Sequence, residues 1–131
     1  MVESASVRQL QDACTCYLIS RFGNNDIVVK MNLLFPSYID DVSEKQIVVH
    51  CAPIEYTPYC VFYFVRMVDG WKSGRFHRNA GHVKQVKVEG DFKPLVFQEY
   101  HKLFPHIEYT LGFAGRPGGP AFYISTRDNS V

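Results

Sequence analysis

Apolar positions follow two different periods in the first third of the chain. Val7, Leu10, Cys14 and Leu18 recur every three or four residues behind Ser4 and Ser6, two candidate caps. That spacing predicts an amphipathic helix, because residues three and four apart share one helical face. Phe22-Gly23-Asn24-Asn25 then reads as a turn. From Asp26 to Phe35 (DIVVKMNLLF) the pattern changes to a β-branched run with partial alternation that closes at Pro36, and this predicts a strand. A second run, Gln46 to Ala52 (QIVVHCA), predicts another, and the two are expected to pair as a hairpin. The polar loop between them carries Asp40-Asp41, read as solvated charge.

The helical period returns once. Thr57 is placed to cap a helix whose first position is Pro58, where the missing N–H costs nothing. Val61, Phe64, Val65 and Val68 form its apolar stripe and Gly70 ends it, so the helix is expected over Pro58 to Asp69. Beyond it lie Trp71, Phe76-His77-Arg78, and an aromatic stretch with Phe97, Tyr100, Phe104 and Tyr109. The segment Tyr109 to Thr126 reads as two short apolar runs joined by a Gly/Pro turn. There is no internal repeat or linker. Residues 1–25 are read as a helix and turn, and residues 26–131 as one β-rich domain.

Composition agrees with a single β-rich unit. A chain of 131 residues can bury a core without metals or disulfides, and eight Tyr and ten Phe suit half-buried strands. Fourteen basic and thirteen acidic residues leave a net charge of +1, too small a field to hold nucleic acid or an anionic membrane, and neither is expected as a partner. No apolar run is long enough for a membrane span, and Met1 to Gln11 lacks the order of a signal peptide, so a soluble protein is expected. Cys14, Cys16, Cys51 and Cys60 match no usual zinc spacing and read as ordinary thiols, favouring a reducing compartment.

Chemistry-bearing motifs are few. Gly115-Arg116-Pro117-Gly118-Gly119-Pro120 is no phosphate loop: it lacks Gly-Lys-Ser/Thr, two prolines remove donors, and the strand-like Phe122-Tyr123-Ile124 follows. His50, His77, His82, His101 and His106 are scattered at poor metal spacings, and no nucleophile signature accompanies them. Neither cofactor nor metal is expected.

The order of short motifs carries a resemblance. After the two strands and the Pro-started helix come Gly70-Trp71, Phe76-His77-Arg78, Gln85, Gly90-Asp91-Phe92, Thr110-Leu111-Gly112-Phe113-Ala114 and Phe122-Tyr123-Ile124-Ser125-Thr126. In that order they resemble the cyclophilin family. Phe97 to Tyr100 and the Gly-Arg-Pro-Gly-Gly-Pro turn are similar to divergent members from algae and other protists. The resemblance implies a mainly β fold: a cyclophilin-like antiparallel barrel with one or two helices. It implies that Arg78 stands at the catalytic arginine and Gln85 at the glutamine that holds the substrate backbone. His82 and Val83 then occupy the proline pocket, Ala114, Gly115 and Arg116 the backbone-binding strand, and Phe122 and Tyr123 the pocket floor.

The replacements lean away from turnover. His82 and Val83 stand where the family has an aromatic residue and a methionine, and Tyr123 adds a hydroxyl to the floor. Proline is therefore held less well against a barrier of about 18–20 kcal/mol. The expectation is a cyclophilin-like module that binds an X-Pro peptide or acts as a scaffold with weak or no isomerase turnover; the alternative is an active isomerase using Arg78. Because the chain ends before the family's final strands, Phe122 to Thr126 is expected to be an open edge, and the protein an oligomer or a subunit of a larger complex.

Overall fold

The computed structural model describes residues 4–35, 46–91, 93–115 and 118–130. The acidic loop with Asp40-Asp41 lies outside the described residues, as do Phe92 and Arg116. The elements run α1 (Ser4–Phe22), β1 (Val28–Asn32), β2 (Gln46–His50), α2 (Pro58–Asp69), β3 (Trp71–Asn79), β4 (Val83–Gly90), β5 (Leu111–Gly115) and β6 (Gly118–Ser125).

The strands form two open antiparallel sheets: the hairpin β1–β2, and a four-stranded sheet in the order β3-β4-β6-β5. This overturns the mainly β barrel, whether complete or left open at one edge. Closure requires the two edges of one sheet to meet, but the β1–β2 hairpin pairs with neither β3 nor β5. Helices do the covering, and the class is mixed α/β. The open edge expected at Phe122 to Thr126 is also corrected, since β6 is flanked by β4 on one side and β5 on the other. Lys84 is opposite Ile124 on one side while Leu111 is opposite it on the other.

The apolar stripe of α2 explains where the core forms. Val61, Phe64, Val65 and Met67 are all buried, each burial worth roughly 1.5–3 kcal/mol. Phe64 and Met67 meet Val86, Val88 and Phe122 of the sheet. Val61 and Val65 meet Leu18 of α1 and Ile27. The stripe foreseen in α1 is the one buried: Cys14 and Leu18 are inaccessible, and Arg21 at its last turn forks onto Asp69, with Nη1 at 2.6 Å from Oδ2 and Nη2 at 2.9 Å from Oδ1.

Two turns need glycine for different reasons. Gly23 takes a left-handed φ of 65°, open to glycine without a Cβ penalty. Gly70 does not; its constraint is space. A Cβ there would collide with the carbonyl oxygen of Asp91, whose N–H bonds back to the Gly70 carbonyl and starts the β3–β4 pairing. Further along β3, the Trp71 ring lies across Gly74, where a Cβ would collide with it, and its centroid is 6.3 Å from that of Phe122.

Residues 93–110 form no strand. Pro94 and Pro105 interrupt the ladder, and the backbone closes local turns instead, with the Phe104 N–H on the His101 carbonyl and the Thr110 N–H on that of Ile107. Tyr109 then reverses the chain into β5 with a φ of 66°.

Candidate binding cleft

The wall of the cleft begins at the N-terminus of α2, where N–H groups without an acceptor inside the helix make the end polar. Thr57 was expected to cap it, but its side chain makes no capping hydrogen bond. Glu99 does so from across the fold. Its Oε1 accepts the Cys60 N–H at 2.9 Å, and its Oε2 accepts the Tyr59 N–H at 3.3 Å and the Gln11 side-chain amide at 2.7 Å. The segment leading to Glu99 is strapped down with it: the Tyr59 hydroxyl accepts the Val96 N–H at 2.8 Å, and the Phe97 ring stacks on Tyr59 at 4.5 Å. Leu95 is buried beside Cys14, Tyr59 and Tyr63.

Beyond the strap, His101 and Phe104 pack round Tyr56 at centroid separations of 4.9 and 5.4 Å. His106 comes next, with Nδ1 3.3 Å from the Tyr123 hydroxyl. Tyr123 lies flat over Gly112, leaving no room for a Cβ.

These walls enclose an open cleft of about 590 Å³, lined by β2, the first turns of α2, the strap and β5. Its lining includes two unbroken runs, residues 47–52 and 109–113. A strand turns alternate residues to opposite faces, so a run of consecutive residues lines a space only where the strand's edge is turned to it. β2 pairs only with β1, and β5 only with β6, among the described residues. Two unpaired sheet edges therefore face one space, with apolar walls from Phe64, Leu95, Phe97 and Phe113. Three exposed aromatic side chains also line it: Tyr100, Phe104 and Tyr109.

Burial pushes the Cys51 thiol up to about 11, and burial together with the negative charge of Glu99 pushes Cys60 up to about 12. Both are protonated near neutral pH and poor nucleophiles. Burial likewise raises Tyr123, so its hydroxyl keeps its proton. All four cysteines are free. No group of three His, Cys, Asp or Glu is placed to hold a metal among the described residues.

The residues assigned by resemblance are dispersed. Phe122 is fully buried in the core and Val83 is buried on β4, so neither faces a ligand. His82 belongs to the β3–β4 turn: its Nδ1 is 3.0 Å from the Ala80 carbonyl, and its own carbonyl accepts the Thr126 N–H and the Asn129 side chain. Ala114 and Gly115 end β5. Three do fall in one row: Arg78 is opposite Gln85, and Gln85 opposite Tyr123, which is opposite Gly112. Sequence reasoning missed Glu99 and His106. No local signal marks Glu99, whose partners lie 39, 40 and 88 residues away. From sequence His106, like the other histidines, carries neither a metal spacing nor a nucleophile signature, although it sits in the aromatic stretch that walls the cleft.

No family model, curated protein or solved structure matches the chain. No helix of the described residues is long and apolar enough to cross a membrane.

Proposed function

We propose that this protein is a binding module that takes an extended peptide segment of a partner into the cleft between β2 and β5. The observation that carries this reading is the pair of unpaired strand edges turned to one open space. An inserted strand bonds its backbone to one or both edges and seats alternate side chains among Phe64, Phe97 and Phe113, the logic of strand addition. The exposed aromatic lining supports it, because exposed apolar surface marks interaction sites.

Panning a displayed library of random twelve-residue peptides against the protein tests this. The expected result is enrichment of sequences with alternating apolar residues, whose binding slows amide exchange in residues 46–52 and 109–113. Tyr100→Asp is expected to weaken such a peptide about tenfold without unfolding the protein. No enrichment, or protection confined to other elements, overturns the proposal.

Prolyl isomerisation is the second reading, favoured by the row of Arg78, Gln85 and Tyr123. Arg78 is exposed on the edge strand β3 and is not among the residues that line the cleft, so little turnover is expected. Robust acceleration of cis–trans exchange in an Ala-Pro peptide, abolished by Arg78→Ala, puts this reading in place of the first.

A further inference from the structure

The core places α2 and the β1–β2 hairpin against one face of the larger sheet, the face of Val86, Val88 and Phe122. Alternation along the strands assigns a second set of residues to the opposite, outer face. There Ser73 is opposite Glu89, Arg75 opposite Lys87, and Arg78 opposite Gln85. Gln85 in turn is opposite Tyr123, and Tyr123 opposite Gly112.

Charge on this outer face is uneven. Arg75, Arg78 and Lys87 are exposed on it against one carboxylate, Glu89, and none of these groups is in an ion pair among the described residues. Arg75 and Lys87 are direct cross-strand neighbours, and like charges so placed repel. Lys87 is flanked on its other side by Ala121, which brings no compensating charge. Along β4 the order is Gln85, Lys87, Glu89, so the cations lie between the row of Tyr123 and the single carboxylate.

The outer face is continuous with the cleft. Tyr123 and Gly112 line the cleft, and the same two residues begin the row that ends at Arg78. Neighbouring strands are about 4.8 Å apart, which puts Arg78, two strands from Tyr123, about 10 Å away. Lys87 is diagonal to Tyr123, at about 7–8 Å. About three residues of extended chain cover that distance.

We infer that the partner segment seated in the cleft carries an acidic flank, which leaves past Tyr123 and lays its carboxylates on Lys87, Arg75 and Arg78. The inference rests on the cleft reading and adds the charge of the partner to it. Continuity with the cleft and charge complementarity choose this occupant. Exposed charge pairs are individually weak, but a chain already held at Tyr123 presents its flank to the cations at high effective concentration. The pairs then decide which flanking sequence is preferred.

The probe is the twelve-residue peptide enriched by panning, labelled and extended through a Gly-Ser-Gly spacer by four Glu, four Lys or four Ser at either end. Anisotropy with the full chain at 50 mM salt is expected to show the Glu tail binding about three- to tenfold tighter than the Ser tail, from one end of the peptide only. At that end the Lys tail is expected to weaken binding, and 500 mM salt to remove the difference. Arg75→Glu combined with Lys87→Glu is expected to reverse the preference. It should leave the Ser-tailed peptide near its parent affinity, because neither residue lines the cleft. If Ser-tailed peptides bind and protect residues 46–52 and 109–113 while the tail charge changes nothing, the cleft reading stands and this inference falls. A gain that is equal at both ends, or that survives the double variant, overturns it too. So does equally tight binding of detached tetra-glutamate or of oligo-uridine, either of which shows a polyanion surface independent of the cleft. If no peptide binds, both readings fall together.

Discussion

Glu99 shows what one carboxylate can organise. It neutralises the N-terminus of α2, bonds Gln11 of α1, and fixes the strap that walls the cleft. Truncation leaves two N–H groups of α2 without their acceptor in a part-buried place. Glu99→Ala is therefore expected to cost about 1–2 kcal/mol, measured by urea denaturation, with faster amide exchange at Tyr59 and Cys60. Glu99→Gln keeps one acceptor oxygen and should lose less. Equal stability of all three proteins would show that water replaces the carboxylate without loss. From sequence the natural cap was Thr57, immediately before Pro58. A local rule finds local caps, and an acceptor some forty residues away is settled only by tertiary packing.

Among elements, the two helices and the paired runs β1–β2 and β5–β6 were legible, and β3 and β4 were not. α2 spans the stretch its stripe indicated, Pro58–Asp69, and α1 buries Cys14 and Leu18 as the spacing required. The hairpin β1–β2 formed from the two β-branched runs, shortened at its ends. β3 eluded the reading because Lys72 to Asn79 is exposed throughout, so no alternation distinguishes its two faces. The element contact most open to test joins α1 to α2 through Arg21 and Asp69. Hydrogen bonds from the Arg21 guanidinium hold the Asp69 carboxyl below its ordinary value. A carboxyl lowered in the fold adds stability above its unfolded pKa, near 3.9, and loses that stability as the pH falls through the lower folded value. The stability difference between the parent and Asp69→Asn should hold constant from pH 7 to 5 and shrink as the pH falls below the unfolded value and through the lower folded one. Because the pair is substantially exposed, its size should not exceed about 1 kcal/mol. A difference that grows on acidification would contradict the pairing.

At the scale of the whole molecule, the contribution of sequence ended where non-local pairing began. The resemblance predicted a barrel left open at Phe122 to Thr126, but order of motifs along a chain does not specify which strands adjoin, and the placing of β6 between β4 and β5 is a matter of long-range register. The architecture also couples its parts unevenly. Trp71, the one tryptophan of the chain, stands at the junction of α2 and β3 with its ring between Gly74 and the cluster around Phe122. Its emission is thus a private optical probe of the seam between helix and sheet, while far-UV circular dichroism is weighted towards α1 and α2. If helices and sheet melt as one cooperative unit, urea titrations by the two signals share a midpoint. An indole that reddens while ellipticity persists would divide the molecule along that seam, into a helical pair that survives and a sheet that has let go.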